Sequence, residues 1–296
     1  MGFTKTYLRG LKSNHFRHPL DLQATQTLQQ LPALDLIVRN LLGPVAEQVF
    51  YLDNIASSIQ VSDQQLPDIH TLVVEACEIL DLEVPQLYIR QNPAPNAYTF
   101  AMRGRKPFIV LHTSIIDLLT PEELQAVIAH ELGHLKCEHG VYLTLANLIM
   151  LAADQLLPFG GLVTQSLQSQ MMQWVRCAEF TCDRAALLVA QDARVVASVL
   201  MKLTGGSPTL AQRLNLDAFL EQARSYDAVT KTEIGQVLKD AQVSPLTHPL
   251  PVLRAREIDQ WAKSIDYQKI LTRHPFEENT KSGTSSISPS GGWRNW

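Results

Sequence analysis

The stretch of sequence that decides the fold runs from Thr120 to Gly140 and reads TPEELQAVIAHELGHLKCEHG. It begins as helices begin, because Thr120 is a good N-cap, Pro121 suits the first helical position and Glu123 can close a capping box. Apolar residues then recur at helical spacing. We therefore predict a helix that runs to about His139 and stops at Gly140.

The same helix carries the pentapeptide His130-Glu131-Leu132-Gly133-His134. His130 and His134 are one turn apart and share a face, so both imidazoles can bind one metal ion. Glu131 lies about 100° around the helix, where it can reach a water on the metal without being a ligand. Such a pentapeptide is a roughly 1% chance event in a chain of this composition, which disfavours a surface helix with two solvated histidines. Gly133 costs about 1 kcal/mol in a helix interior, so we expect close packing beside the metal to compensate.

A third ligand is needed, because a catalytic zinc site has three protein ligands and keeps one position open. In a continuing helix, His139 would lie about 140° off the ligand face, and we reject it as a ligand. Glu138 is on the same face as His134 but would reach the metal poorly from the same helix. It fits better as a charge at the helix end.

Glu179 is the better candidate for the third ligand. It lies one turn before Asp183 on an otherwise apolar helix, which we predict over about 165–191. Two acids on one face of a buried helix are costly unless they are paired or bound to a metal. We predict that Glu179 binds the metal and that Asp183 accepts the second ring N–H of a ligand histidine. The alternative is a polar stripe on a surface helix. Cys177 and Cys182 flank Glu179 and are not predicted as ligands.

Three short strands are predicted before the first of these helices, over residues 86–90, 96–103 and 107–112. The short turn between the last two favours an antiparallel meander. Helices are predicted on either side of this region along the chain. The sequence therefore predicts an α+β fold that is mainly helical with a small antiparallel sheet.

Three motifs, in this order, resemble the HtpX-like and CaaX-prenyl-protease-like gluzincin metallopeptidases. The first is the HExxH pentapeptide, which alone indicates only a zincin. The others are Glu179-Phe-Thr-Cys-Asp183-Arg-Ala, and Thr247-His248-Pro249 followed by Arg254. Asn96-Ala97-Tyr98 also resembles the Asn-Ala-aromatic strand that this family has beside its active site.

The resemblance implies an α+β zincin-type domain in which an edge strand of the small sheet lines the active-site cleft. It implies a zinc metalloendopeptidase, a hydrolase that acts in protein processing or quality control with one Zn²⁺ per chain. The implied site residues are His130, His134 and Glu179 as zinc ligands, Glu131 as catalytic base, Asp183 behind the ligands, and His248 and Arg254 near the oxyanion. Alternatives stay open: His248 as a loop histidine, Arg254 as a structural partner of Asp183, and the whole chain as a catalytically silent scaffold or chaperone-like protein.

An extended peptide or protein substrate can add as a strand to a sheet edge through main-chain hydrogen bonds. Asn96, Ala97 and Tyr98 are therefore the expected substrate-binding residues. We predict three regions along the chain: an N-terminal helical extension over 1–66, the zinc metallopeptidase domain over 67–275, and a disordered tail over 276–296 that is rich in Ser, Gly and Thr.

The composition disfavours nucleic-acid binding and indicates a reducing compartment. The chain has 296 residues, of which 46% are hydrophobic and 18% charged, with a formal net charge of −4. Nucleic-acid binding is disfavoured, because neutralising phosphates needs a basic patch. The four cysteines form no C-x-x-C pair, and no secretory signal is predicted. A reducing compartment of cytoplasmic or plastid-stromal type is therefore expected, and secretion is not.

The segment 141–163 is a candidate for a transmembrane helix, because it is mostly apolar and about long enough for a bilayer span. It contains Asn147, Asp154, Gln155 and Pro158, and an Asp near the centre of a span costs about 2.5–3.5 kcal/mol. We predict a buried helix with a broken end. Peripheral membrane contact through this segment is kept as an alternative, and the oligomeric state is not predicted.

Overall fold

The computed structural model describes residues 5–29, 44–101, 106–140, 171–230 and 249–272. Helices predominate within these ranges. Their bounds are α1 Pro19–Gln29, α2 Pro44–Ser57, α3 Pro67–Leu80, α4 Thr113–Leu118, α5 Pro121–Lys136, α6 171–190, α7 Ala193–Gly205, α8 Leu216–Thr230, α9 Pro251–Ala262 and α10 Ile265–Thr272. The prediction of a mainly helical α+β fold is confirmed.

Helix α5 begins as predicted and ends earlier than predicted. The backbone N–H of Glu123 donates to Thr120 Oγ1 at 3.4 Å, and the backbone N–H of Thr120 donates to Glu123 Oε2 at 2.9 Å, which completes the capping box. The helix ends at Lys136 because Glu138 takes a left-handed backbone with φ of 56°, a common way for helices to terminate. The prediction of a helix to His139 is therefore wrong, and His139 lies beyond the last turn.

Four strands form one mixed sheet in the order β1-β2-β4-β3: β1 Ile59–Gln60, β2 Gln86–Arg90, β3 Ala97–Phe100 and β4 Phe108–His112. Strand β3 is antiparallel to β4, whereas β2 is parallel to β4. The predicted antiparallel meander is therefore wrong in its strand order and in the direction of β2 relative to β4, and the sheet is mixed rather than antiparallel. All five residues of β4 are buried, and such a continuous apolar strand is favoured at the centre of a sheet beside a parallel neighbour.

One hydrophobic core joins α3, α5, α6, β2 and β4, and the first described residues belong to it. Leu8, Leu11 and Phe16 are at most 2% exposed, and the backbone N–H of Leu8 donates to the carbonyl of Ile79 at 3.0 Å. Burying a side chain of this size contributes about 1.5–3 kcal/mol. The start of the predicted N-terminal extension thus packs with the helices that carry the site. The boundary at residues 66 and 67 stays a prediction.

Some predictions fall on residues outside the described ranges, namely the whole segment 141–163, the first residues of the helix predicted over 165–191, His248 and the tail 276–296. Among the described helices, none has both the length and the apolar character that a membrane crossing requires.

Candidate active site

Helices α5 and α6 touch at Gly133. A Cβ added to Gly133 would lie 2.9 Å from the Cβ of Ala185 and 3.0 Å from the Cα of Cys182. The second of these atoms is backbone, so a side chain at position 133 would force the helices apart. The close packing expected at Gly133 is confirmed, and it brings the histidines of α5 against the acids of α6.

His130, His134 and Glu179 meet where the two helices face each other. Glu179 Oε2 lies 3.4 Å from His130 Nε2, and Glu179 Oε1 lies 3.3 Å from His134 Nε2. The carboxylate is 2% exposed, so its charge is poorly screened by water. Two imidazole nitrogens and a carboxylate that converge in this way form a donor set suited to a divalent cation.

The acidic neighbours of His130 raise its pKa above the ordinary value. Burial alone would lower the pKa, but the charge of Glu179 and the hydrogen bonds to Asp183 and Glu179 outweigh burial and raise it to about 10. The pocket therefore favours a positive charge beside His130, which either a proton or a metal ion can supply.

Asp183 lies at the other ring nitrogen of His130. Its Oδ1 is 3.1 Å from His130 Nδ1, which is the contact expected of an acceptor for the second ring N–H. Arg254 holds Asp183 with two hydrogen bonds, from Nε to Oδ2 at 2.8 Å and from Nη2 to Oδ1 at 2.6 Å. Burial would raise the pKa of Asp183, but Arg254 and His130 outweigh it and hold the pKa below its ordinary value.

Arg254 also contacts the carboxylate of Glu179, with Nη1 3.4 Å from Oε2. Its guanidinium is therefore engaged by two acids of α6. These contacts fit the alternative in which Arg254 is a structural partner of Asp183, and its place near an oxyanion stays a prediction.

Glu131 faces the sheet, and Thr99 of β3 holds its carboxylate. Thr99 Oγ1 lies 2.8 Å from Glu131 Oε2 and 3.2 Å from the Glu131 carbonyl oxygen. Glu131 is 7% exposed. Thr99 was not predicted from the sequence as a site residue, although Ala97 and Tyr98 of the same strand and Asn96 just before it were.

His139 turns back toward the site, because the helix stops before it. Its Nδ1 lies 3.2 Å from His134 Nδ1, and its Nε2 lies 3.1 Å from Asp21 Oδ2. Burial lowers the pKa of His139 to about 4, although Asp21 opposes this shift. Burial would raise the pKa of Asp21, but the hydrogen bond and charge of His139 and the charge of Arg17 bring it to about 2. Asp21 was also missed, because no local pattern links it to residues 118 positions later.

Cys182 is a second candidate for the third ligand. One ligand atom from each of His130, His134 and Cys182 lies within 4.8 Å of the others. Among the described residues, no other group of three His, Cys, Asp or Glu side chains brings its ligand atoms this close together. Burial and the charge of Glu179 raise the pKa of the Cys182 thiol well above its ordinary value, which opposes the thiolate that a metal requires. All four cysteines are buried and free.

Two of the expected substrate-binding residues, Ala97 and Tyr98, lie on the outer strand of the sheet, and Asn96 directly precedes it. The Asn96 carbonyl accepts from the backbone N–H of His112 at 3.0 Å. Ala97 pairs with Leu111, and Tyr98 pairs with Val110. Strand β3 is last in the order of the described strands, with β1 at the opposite edge, so its outer edge is one of two to which a strand could be added.

The chain is similar to known peptidases. The model of Peptidase family M48 matches residues 63–262, which is more than half of the chain. A protein of Arabidopsis thaliana named Plastoglobule-localized metallopeptidase 48, chloroplastic, is 56% identical over 265 residues, which cover 90% of this chain and 77% of that protein.

More distant relatives cover less of the chain. Protease HtpX homolog 2 of Methanosarcina acetivorans is 31% identical over 187 residues, covering 53% of this chain and 63% of that protein. Protease HtpX homolog of Moorella thermoacetica is 27% identical over 195 residues, covering 57% of this chain and 64% of that protein. No solved structure matches the chain significantly.

Proposed function

The chain belongs to peptidase family M48 and is a metallopeptidase, and we propose that it is a zinc endopeptidase with its site on α5 and α6. The observation that carries the proposal is the approach of the Glu179 carboxylate to within 3.4 Å of both His130 Nε2 and His134 Nε2. The family resemblance drawn from the motifs is confirmed. No observation favours a catalytically silent scaffold.

Zinc is the metal that this donor set suits best. Zn²⁺ binds imidazole nitrogen and carboxylate oxygen, and catalytic sites of two histidines and one glutamate keep a fourth position open. We propose His130, His134 and Glu179 as the three ligands, with one Zn²⁺ per chain. Two contacts support Glu179 over Cys182. Both oxygens of Glu179 face Nε2 atoms, whereas the sulfur of Cys182 lies 3.7 Å from Nδ1 of His139, the nitrogen that contacts Nδ1 of His134.

Glu131 is the proposed catalytic base. When bound, zinc supplies Lewis acidity that lowers the pKa of water to about 7. The Glu131 carboxylate then accepts the proton of the attacking water and passes it to the leaving amine. The Thr99 hydroxyl, 2.8 Å from Oε2, orients the carboxylate for this transfer.

The proposed roles of Asp183, Arg254 and His248 rest on two kinds of support, namely contacts in the structure and the family resemblance. Asp183 and Arg254 hold the second ring nitrogen of His130, which is the outer arrangement that orients metal-binding histidines. The oxyanion role of Arg254 and that of His248 follow from the family resemblance alone.

Substrate peptides are proposed to bind along β3. Within Asn96, Ala97 and Tyr98, the main-chain groups of Ala97 face the outer edge, because the Asn96 carbonyl is bonded to β4 and the edges alternate along a strand. An extended chain can pair there and so lie beside Glu131, since Thr99 of the same strand contacts that residue. Such pairing reads the backbone and leaves cleavage preference to other contacts.

We also propose a location in a reducing compartment of cytoplasmic or plastid-stromal type. The four free cysteines support this, as does the similarity to a relative whose name places it in chloroplast plastoglobules. Peripheral membrane contact through 141–163 remains a proposal. The division of the chain into 1–66, 67–275 and 276–296 is also a proposal, and so is a role in protein processing or quality control.

The proposal is tested with Glu131→Gln and an unfolded protein such as casein. We expect the variant to retain zinc and to lose at least about a hundredfold in cleavage rate, whereas His130→Ala with His134→Ala should lose the zinc itself. Equal cleavage by wild type and Glu131→Gln would contradict the proposed base. Zinc retained after both histidine substitutions would contradict the proposed ligands.

A further inference from the structure

We infer that Asp21 is a positioning residue of the metal site, because through His139 it holds His134 in the orientation and tautomer that leave Nε2 able to bind a metal. The inference rests on the proposed function, in which His134 is a ligand. His134 Nδ1 lies 3.2 Å from His139 Nδ1, and His139 Nε2 lies 3.1 Å from Asp21 Oδ2. These side chains form one hydrogen-bonded line from α1 to the ligand.

One placement of hydrogens satisfies both contacts and leaves the ligand nitrogen free. A metal-binding His134 Nε2 carries no hydrogen, so His134 Nδ1 carries it and donates to His139 Nδ1. His139 Nδ1 is then the acceptor, and the hydrogen of His139 is on Nε2, which donates to Asp21. The carboxylate thus sets the tautomer of both rings.

The neighbours of Asp21 hold it as an acceptor. The indole N–H of Trp174 donates to Thr25 Oγ1 at 2.9 Å, and the backbone N–H of His18 donates to Thr181 Oγ1 at 3.0 Å. Both hydroxyls therefore have their own hydrogen available for Asp21. Thr25 donates to Oδ1 at 3.0 Å and Thr181 to Oδ2 at 2.7 Å.

Two further contacts agree with this direction. Arg17 Nε, which can only donate, lies 3.4 Å from Asp21 Oδ2. The thiol of Cys182 lies 3.7 Å from His139 Nδ1, so two donors converge on that nitrogen. Asp21 is 0% exposed and His139 is 1% exposed, so bulk water does not compete for these contacts.

The two proposed histidine ligands are thus held differently. His130 contacts a carboxylate of α6 directly. His134 reaches its carboxylate through a second imidazole, and that carboxylate lies on α1, outside the residues that match the family model. The predicted N-terminal extension therefore completes the metal site.

The test compares Asp21→Ala and the milder Asp21→Asn with wild type, using the full chain loaded with zinc and challenged with a chromogenic chelator. We expect zinc to be bound about tenfold to a hundredfold more weakly by Asp21→Ala. Leu8→Ala is the matched control, because Leu8 is fully buried in the same N-terminal segment and lies outside the hydrogen-bonded line. It should lower the melting temperature without weakening zinc binding.

A second readout addresses the tautomer directly. In the zinc-loaded wild type, nitrogen NMR of labelled histidines should find the His139 hydrogen on Nε2. Zinc binding in both Asp21 variants equal to that of wild type, or a His139 hydrogen on Nδ1, would overturn the inference. If His130→Ala with His134→Ala also retained zinc, the ligand assignment itself would fail. If that pair loses zinc and the Asp21 variants keep it, only the positioning role fails.

Discussion

Thr99 Oγ1 lies 2.8 Å from Glu131 Oε2, so a single hydroxyl ties the outer strand of the sheet to the proposed catalytic base. The proposed substrate binding along β3 and the proposed proton transfer at α5 therefore share one residue. A peptide that shifted β3 would also shift the hydroxyl proposed to orient Glu131.

Replacing Thr99 with Val should slow catalysis without disturbing the metal. Val keeps the shape and the preference for a strand but lacks the hydroxyl, and a hydrogen bond to a charged group contributes about 1.5–3 kcal/mol. We expect kcat/KM to fall about 10- to 100-fold, with zinc content unchanged. Thr99→Ser, which keeps the hydroxyl, should stay close to wild type. A fully active Thr99→Val would show that the contact does not matter for the reaction.

Replacing Gly133 with Ala should loosen the site, although Ala is ordinarily the better helix former by about 1 kcal/mol. The added Cβ would meet Ala185 Cβ at 2.9 Å and Cys182 Cα at 3.0 Å, so α6 must move away and take Glu179 with it. We expect a lower Tm and weaker zinc binding. Gly205→Ala is the control, because nothing lies within 4 Å of a Cβ there. A Gly133→Ala protein as stable as wild type would contradict this account of the helix contact.

Replacing Arg254 with Lys separates the two roles that the sequence leaves open. Lys cannot reproduce the two hydrogen bonds to Asp183, so a positioning role predicts zinc bound about tenfold more weakly. Arg184→Lys is a control, because Arg184 pairs with Glu257 on the neighbouring α9 and is not part of the site. Unchanged zinc affinity with a large fall in kcat would instead support the oxyanion role.

Glu123 makes stability depend on pH. It accepts from Ser198 at 2.6 Å and pairs with Lys202 at 2.6 Å, joining α5 to α7. Burial would raise its pKa, but Lys202, Ser198 and the cap outweigh it, and the pKa lies below the ordinary 4.5. Because the folded state favours the carboxylate, its stabilisation is present above the ordinary pKa and is lost as pH falls through the folded pKa.

We therefore expect Glu123→Gln to cost about 2 kcal/mol at neutral pH and to flatten the decline of Tm below pH 4.5. The check is thermal unfolding of both proteins across pH 3–7. Parallel Tm curves for the two proteins would contradict the assignment.

The sequence predicted best those parts of the site that depend on helical periodicity. Within each of two helices, the site residues are spaced by one turn or less. These residues are His130, Glu131 and His134 in the first helix, and Glu179 and Asp183 in the second. Their faces follow from spacing, and buried acids need partners. The structure brings both sets together.

Features set by distant contacts were not predictable in the same way. The order of the sheet depends on which strand is most buried, so β4 lies between strands that precede it. Asp21 and Thr99 reach the site only through tertiary packing. The early end of α5 was missed because Glu138, a non-glycine residue, takes the left-handed conformation while Gly140 offered the more obvious stop.

The central place of β4 also orders events during synthesis. Strands β2 and β3 do not pair with each other, and each needs β4 as its neighbour. As the chain leaves the ribosome, β3 must therefore wait for residue 112 with its backbone groups unpaired, whereas β2 already has β1 on one side and waits only at its other edge. The outer strand proposed to receive substrates thus joins the sheet only after the segment that follows it has emerged, and a nascent chain stalled before that point would lack the β3 edge that a substrate peptide is proposed to join.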